Sequence, residues 1–293
     1  MSKISMDDVK KLRDRTQVGM MDCRKALEEA NGDIEKAVEI LRKKGAAVAA
    51  KRAENVTNHG RVESFINENY TIGSLIETAC ETDFAANTEA MQYFARDVAE
   101  HVATVNPSDV ATLLTQPCSK NPKLTIQQHL DDLVSKICEK IKVNRFVRFQ
   151  VTGNGIVNAY IHPGSVVGIL VELATDKPAA SHLEALKTIA KDICMQIAVT
   201  NPLCIQASDL DPAILEKERN LAREQLKDSG KPANVIDKII EGKISKFYQD
   251  ACLLNQPFIK NDKLTVQQYI NEEAKKLGLS ITVKQFKRFG IGR

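Results

Sequence analysis

The sequence predicts an α+β protein with a duplicated core, and an internal repeat is the main reason. Residues 116–128 return with few changes as residues 256–268, an offset of 140. The segment 146–149, rich in Phe and Arg, returns as 286–289 at the same offset. Each copy shows strand-like alternation and helical periodicity in the same order. Each is therefore expected to form a small antiparallel sheet with helices segregated around it.

An insertion distinguishes the two copies. Residues 94–107 resemble residues 189–202 at an offset of only 95, so 45 residues have been added to the second copy between Pro202 and Gln256. We therefore divide the chain into an N-terminal module with its linker, a first core subdomain, a second core subdomain in two pieces, and an inserted segment. The predicted bounds are 1–54, 55–155, 156–202 with 251–293, and 203–250.

The N-terminal module is expected to be a bundle of three helices. Ser5, Asp22 and Asp33 are placed to cap the first, second and third helix, and Gly45 is expected to end the third. Apolar residues three and four positions apart give each helix one stripe, and so small a core would gain from docking to a partner. The Ala-rich, basic stretch 46–58 predicts a linker or a helical extension.

Both core subdomains share one predicted order of elements: two strands joined by a turn, two helices and a closing strand. In the first, these are expected at 61–66, 71–78, 87–105, 125–141 and 144–151. In the second, they are expected from residue 156, then at 165–173, 179–199, 265–276 and 283–289, with a turn at His162-Pro163-Gly164. The pattern leaves open whether the two sheets join.

The insertion predicts a helical hairpin. Asp211 and Pro212 suit a helix start, and residues 228–232 suit a tight turn. The apolar stripes of the two helices can pack against each other as an antiparallel coiled coil. Their members are Leu215, Ala222, Leu226, Ile236, Ile240, Ile244 and Phe247. Such a hairpin can serve homodimerisation, contact with a partner, or neither.

Composition restricts the function classes. A net charge of +3, from 41 basic and 38 acidic residues, is too small to indicate a nucleic-acid partner. No apolar run approaches the roughly 20 residues of a membrane span, and the N-terminus has a charged amphipathic pattern in place of an apolar signal sequence. The seven cysteines are scattered and never in CxxC spacing, so we expect free thiols and a cytoplasmic protein.

No catalytic constellation is recognisable in the sequence. Ser229-Gly230-Lys231 precedes a proline and lacks the upstream glycines of a phosphate loop, and Gly153-Asn154-Gly155 is better explained as a turn. The five histidines have no ligand-like spacing, so no metal site is predicted. We expect a binding or regulatory protein that is not an enzyme and needs no cofactor.

Four segments stand out as a set: VKKLRDRT at 9–16, GMMDCRKAL at 19–27, ANGD at 30–33 and CETDF at 80–84. Together with the duplicated core and the hairpin in its second copy, they resemble the translation elongation factor Ts family over essentially the whole chain. The resemblance implies a guanine nucleotide exchange factor whose partner is the GTPase elongation factor Tu. It also implies a ubiquitin-associated-like fold for the N-terminal module.

The resemblance implies which residues touch the GTPase. Thr82, Asp83, Phe84 and Ala85 match the family motif that dislocates magnesium, although other members often have valine at the last position. Magnesium neutralises the diphosphate oxygens, so displacing the elements that hold it would speed nucleotide release. The residues also fit another interpretation, in which Phe84 is a core residue and Thr82 or Asp83 caps the following helix.

Further implied contacts lie elsewhere. Arg13, Met20 and Met21 would dock on the nucleotide domain of the GTPase, although the methionines can also fill the module's own core. His162 would reach the region near the phosphate loop, although a histidine before Pro-Gly is ordinarily a solvated turn residue. Segment 256–259 would touch another domain. Some family members continue past the last strand with a further helical contact, which is expected to be missing here.

Two other function classes stay open. A ubiquitin-type adaptor would explain the N-terminal module but leaves the duplicated core without a role. An RNA-binding protein would use the aromatic and basic residues of 146–149 and 286–289, although strand alternation also explains them. We favour the exchange factor, and expect no membrane or direct nucleic-acid partner. The candidate contacts lie where the copies differ, since Phe84 is matched by Lys177 in the other copy and His162 by Asn67.

Overall fold

The computed structural model describes residues 4–226 and 232–292. Helices and small antiparallel sheets make up this part of the chain, which confirms the predicted α+β class. No helix within the two described ranges is long and apolar enough to cross a membrane.

The N-terminal module contains α1 (Met6–Thr16), α2 (Met20–Glu29) and α3 (Ile34–Lys51). Its core is formed by apolar stripes from all three helices, with Leu12 and Leu27 fully buried at its centre. The predicted caps of α1 and α3 are confirmed, because the side chains of the two cap residues accept backbone hydrogen bonds at 3.1 Å.

Two predictions about this module are wrong. Asp22 does not cap α2, because the helix begins at Met20 and the Asp22 carboxylate pairs with Lys44 of α3, at 2.9 Å between Oδ1 and Nζ. Gly45 does not end α3, because the helix continues past it. The glycine is needed for a close helix crossing, since a Cβ there would lie 1.8 Å from the Ser135 hydroxyl oxygen.

The first core subdomain begins with a hairpin and contains one three-stranded antiparallel sheet, in the order β1-β2-β5. Its elements are β1 (His59–Ile66), β2 (Ile72–Cys80), α4 (Asp83–Asn87), α5 (Glu89–Val105), α6 (Val110–Thr115), β3 (Pro117–Cys118), β4 (Asn121–Thr125), α7 (Ile126–Ile137) and β5 (Ile141–Gln150). The predicted helix 125–141 is shorter than expected, because Cys138 takes a left-handed conformation and β5 starts at residue 141.

The second core subdomain repeats this plan, with the sheet order β6-β7-β10. Its elements and those of the insertion are β6 (Gly155–Ile161), β7 (Val167–Thr175), α8 (Leu183–Thr200), α9 (Pro212–Leu226), α10 (Ala233–Ala251), β8 (Pro257–Phe258), β9 (Asn261–Thr265), α11 (Val266–Leu277) and β10 (Ile281–Gly290). A short 3₁₀ turn, Ala179–His182, precedes α8 where a continuous helix was predicted.

The two sheets pack face to face across an apolar layer with internal symmetry. This layer consists of Val62, Leu75, Phe149, Val157, Leu170 and Phe289, and each residue from one copy has its partner at the offset of 95 or 140. Gly73 and Gly168 are equivalent positions that let the sheets approach. A Cβ on Gly73 would lie 2.6 Å from Val157, and one on Gly168 would lie 2.4 Å from Val62. The duplicated halves are thus one packed unit.

The insertion forms two helices that pack along their apolar stripes. Ala222, Ile240 and Ile244 are buried between α9 and α10. The predicted turn at 228–232 lies outside the described residues except for Pro232, which precedes α10. At the base of the hairpin the sulfur atoms of Cys204 and Cys252 are 3.5 Å apart, and both thiols are free and buried.

Candidate functional site

Phe84 is the most exposed large apolar side chain among the described residues, at 82% of its full exposure. It lies on α4, whose N-terminus Thr82 caps by accepting a hydrogen bond from the Ala85 amide at 3.2 Å. The side chains of Ala85 and Ala86 are buried in the core of the first subdomain. The interpretation of Phe84 as a core residue is therefore wrong, although its second half, the Thr82 cap, is confirmed. Ala85 anchors α4 in the core of the first subdomain and is not available for contact with a partner.

The segment around Thr82 is held by charged groups on both sides. Glu139 accepts hydrogen bonds from the Thr82 amide (3.0 Å) and hydroxyl (2.7 Å). The Glu81 carboxylate accepts a hydrogen bond from the guanidinium of Arg52, just beyond α3, at 2.9 Å. It also accepts one from the Lys140 backbone amide at 2.6 Å. The hydrogen bond from that amide is the main reason why the pKa of Glu81 is lowered. The start of α4 is thereby tied to the N-terminal module as well as to the core.

Asp83 lies beside Phe84 at the exposed start of α4. Its carboxylate accepts a hydrogen bond from the Phe84 amide at 3.0 Å. A negative charge in the first turn of a helix complements the positive end of the helix dipole. Asp83 therefore suits both a structural role and contact with a partner.

His162 is exposed in the turn between β6 and β7, which we call the His162 turn (residues 162–165). Its Nδ1 lies 3.1 Å from the Tyr160 hydroxyl, and the two rings meet edge to face at 6.0 Å. Ser165 closes the turn with a φ of 55°, and its amide donates to the His162 carbonyl at 2.8 Å. The imidazole is held by its neighbours but stays open to a partner.

Arg61 joins the Phe84 helix to the His162 turn. Its guanidinium donates to the Ala86 carbonyl of α4 at 3.0 Å and to the Ser165 hydroxyl at 3.0 Å. The same group pairs with Glu63 at 2.7 Å, and Arg61 is only 6% exposed. Sequence reasoning missed this residue. The available signal was the repeat itself, because the equivalent position in the second copy is Ile156.

The candidate contacts of the N-terminal module are only partly exposed. Arg13 is exposed, and Met21 is 65% exposed, whereas Met20 packs partly against the module's own core. Met20 therefore fits the alternative in which the methionines fill the module's own core, and Met21 is exposed, as the contact alternative requires. Among the described residues, no hydrogen bond or ring contact joins these three side chains to Phe84 or His162.

Two further groups of sequence candidates are buried in part. In segment 256–259, Phe258 is buried and stacks on Tyr269 at 4.1 Å between ring centroids, whereas Pro257 and Ile259 are exposed. Phe149 and Phe289, which the RNA-binding alternative would use, are buried between the two sheets. Base stacking requires exposed rings, so these two residues do not support that alternative.

An exposed phenylalanine and an exposed histidine, held on one duplicated α+β frame, define a candidate surface for binding another macromolecule. The family model described as Elongation factor TS matches residues 81–293. Elongation factor Ts of Trichlorobacter lovleyi is 41% identical over 289 residues, which cover 99% of this chain and 93% of that relative. Its counterparts in Clostridium perfringens and in a Nitratiruptor species are 43% and 41% identical with the same coverage. The chain therefore belongs to the elongation factor Ts family and is a translation elongation factor.

Proposed function

We propose that this protein is a guanine nucleotide exchange factor for elongation factor Tu. It binds the GDP-bound GTPase in the cytoplasm, disturbs the magnesium and phosphate site, and promotes GDP release so that GTP can bind. The observation that carries the proposal is the exposure of Phe84 above two buried alanines on a capped helix. Membership of the elongation factor Ts family supports elongation factor Tu as the partner.

The exposure of Phe84 supports a role in binding because it has an unfavourable hydration cost in the free protein. Burying a phenylalanine side chain contributes about 1.5–3 kcal/mol. The first subdomain does not gain this energy, so it is available when Phe84 enters a partner. Isolated apolar side chains are common on surfaces, but here the residue also sits in the family's magnesium-dislocating motif.

Exchange requires no covalent chemistry by this protein, and we propose that it is not an enzyme. Magnesium and the diphosphate stabilise each other in the GTPase, so moving the ion's ligands weakens nucleotide binding. A protein that binds the empty GTPase more tightly than the loaded one must weaken the nucleotide by the same factor. Phe84 would displace the elements near the ion, and His162 would act near the phosphate loop.

The other proposed contacts are Arg13 and Met21 on the N-terminal module, with Thr82 and Asp83 beside Phe84. Met20 and Ala85 would support them from the core side. The hairpin also stays a candidate contact, either with the GTPase or with a second copy of this chain. Its helices leave Ile214, Leu221 and Val235 more than one-third exposed.

The test is the release of fluorescently labelled GDP from elongation factor Tu, chased with excess unlabelled GDP. We expect substoichiometric amounts of this protein to accelerate release, with each molecule acting on many GTPase molecules. An unchanged release rate at all concentrations of this protein would refute the proposal.

A further inference from the structure

One buried ion pair belongs to only one copy of the repeat. The Arg61 and Glu63 side chains are 7% and 11% exposed, and at the offset of 95 their places are taken by Ile156 and Asn158. Another buried carboxylate, Glu77, is present in both copies, because Glu172 stands at the equivalent position. Buried ion pairs are often no more stabilising than apolar residues. The second copy shows that this strand folds without a charge at the position of Arg61.

The turn that Arg61 contacts is also built without it in the other copy. The Val62 amide donates to the Ser165 carbonyl at 2.7 Å, and the Val157 amide donates to the Tyr70 carbonyl at 2.6 Å. Ser165 and Tyr70 share left-handed φ angles of 55° and 57°. Backbone hydrogen bonds thus contribute to both turns, and at the Tyr70 turn the Asn67 side chain also accepts from the Thr71 and Ile72 amides at 2.8 and 2.9 Å. The guanidinium adds one contact that the Tyr70 turn lacks, a link from the His162 turn of the second copy to α4 of the first.

We propose that Arg61 is a positioning residue that fixes the Phe84 helix relative to the His162 turn, so that both side chains engage the GTPase as one rigid surface. This inference rests on the proposed exchange function. The planar guanidinium has five donors in a fixed fork and can hold Glu63, Ala86 and Ser165 together. The contact with Ala86 lies two residues beyond Phe84, and that with Ser165 lies three residues beyond His162.

The test transplants the residues of the second copy into the first, as the double variant Arg61→Ile/Glu63→Asn. Removing both charges avoids leaving a buried carboxylate unpaired. We expect the fold to persist. We expect the GDP release rate at saturating variant to fall roughly 10- to 100-fold, because small misplacements of a reacting surface have effects of that size. The concentration giving half-saturation should change much less. Arg61→Lys keeps the charge but loses the forked geometry of the guanidinium. Its GDP release rate should lie between those of the unmutated protein and the double variant.

A coupling measurement separates positioning from stability. In the protein that keeps Arg61 and Glu63, the combined effect of Phe84→Ala and His162→Ala on the release rate should differ from the product of their single effects by about 3-fold or more. In the double variant Arg61→Ile/Glu63→Asn, the combined effect should equal that product. Ile270→Ala, a truncation in the core of the second subdomain, serves as the stability control. It should lower the melting temperature without removing the coupling. Coupling that survives the double substitution would overturn the proposal.

Amide hydrogen exchange tests the same link without the GTPase. Protection of residues 83–88 and 162–165 should fall together in the double variant, while the equivalent turn at Tyr70 keeps its protection. Unchanged protection at α4 and at the His162 turn would overturn the positioning role whether or not the protein stimulates GDP release. Conversely, lost protection in a protein that never stimulates release would refute the proposed function and leave the structural link standing.

Discussion

Truncation of Phe84 to alanine should separate binding from folding. The side chain is 82% exposed, so little packing is lost in the free protein, and surface substitutions of this kind change the free energy of unfolding by less than about 0.5 kcal/mol. Alanine also favours a helix more than phenylalanine does. The melting temperature of Phe84→Ala should therefore equal that of the unmutated protein or slightly exceed it.

The effect on exchange follows from the same exposure. Full burial of a phenylalanine contributes about 1.5–3 kcal/mol, and the 82% still exposed leaves about 1.2–2.5 kcal/mol for the complex. Since about 1.4 kcal/mol corresponds to tenfold, the rate of GDP release at limiting factor should fall roughly 7- to 60-fold. Stopped-flow release of labelled GDP, recorded over a range of factor concentrations, measures this change and separates the plateau rate from half-saturation.

A matched control is available on the next helix. Tyr93 of α5 is 61% exposed, so Tyr93→Ala removes another exposed aromatic ring outside the motif. We expect it to retain nearly full activity. Full activity of Phe84→Ala would refute the reasoning. So would a loss of more than about 2 kcal/mol of unfolding free energy, because losses of that size are typical of a core position.

The remaining predictions concern stability and the docking of the N-terminal module. Acidification below pH 6.5 should lower the urea midpoint of unfolding, because burial lowers the pKa of His129. Below that pH the unfolded chain binds a proton at His129 before the folded chain does, so the free energy of unfolding falls as the pH falls. His129→Gln should remove this contribution to the pH dependence of stability. Gly168→Ala should reduce the unfolding free energy by about 1–3 kcal/mol in urea titrations, because the new Cβ would lie 2.4 Å from Val62, and a neutral result would contradict the close sheet packing. Glu81→Gln weakens the contact with Arg52, so trypsin should cleave after Arg52 faster, with unchanged cleavage arguing against this tie to the module.

The repeat made much of the fold predictable. The same capping box starts α7 at Thr125 and α11 at Thr265, so equivalent sequences produced equivalent helix starts. The apolar stripes of the hairpin also matched their packing. The role of Gly45 could not be predicted, because it depends on Ser135, which is distant in sequence and forms a close helix crossing.

The site was predictable only in part, for a similar reason. The local sequence around Phe84 fits a capped helix with either face buried, and only the packing of Ala85 and Ala86 decides which side chain points outward. Arg61 was missed because the two acceptors that make it a link, Ala86 and Ser165, lie 25 and 104 residues away along the chain. The family resemblance therefore pointed to Phe84 and His162, which the structure shows to be exposed, but neither it nor the residue pattern pointed to the group that joins them.

The most direct test of the exchange mechanism is the affinity of this protein for elongation factor Tu with and without GDP, measured by isothermal titration calorimetry. The mechanism predicts that the nucleotide-free GTPase binds more tightly, by a factor within or above the roughly 5- to 150-fold range typical of coupled sites. GDP should then lose affinity by the same factor when this protein is saturating. Equal affinity for the two forms would contradict the account, because a protein that binds both equally cannot weaken the nucleotide.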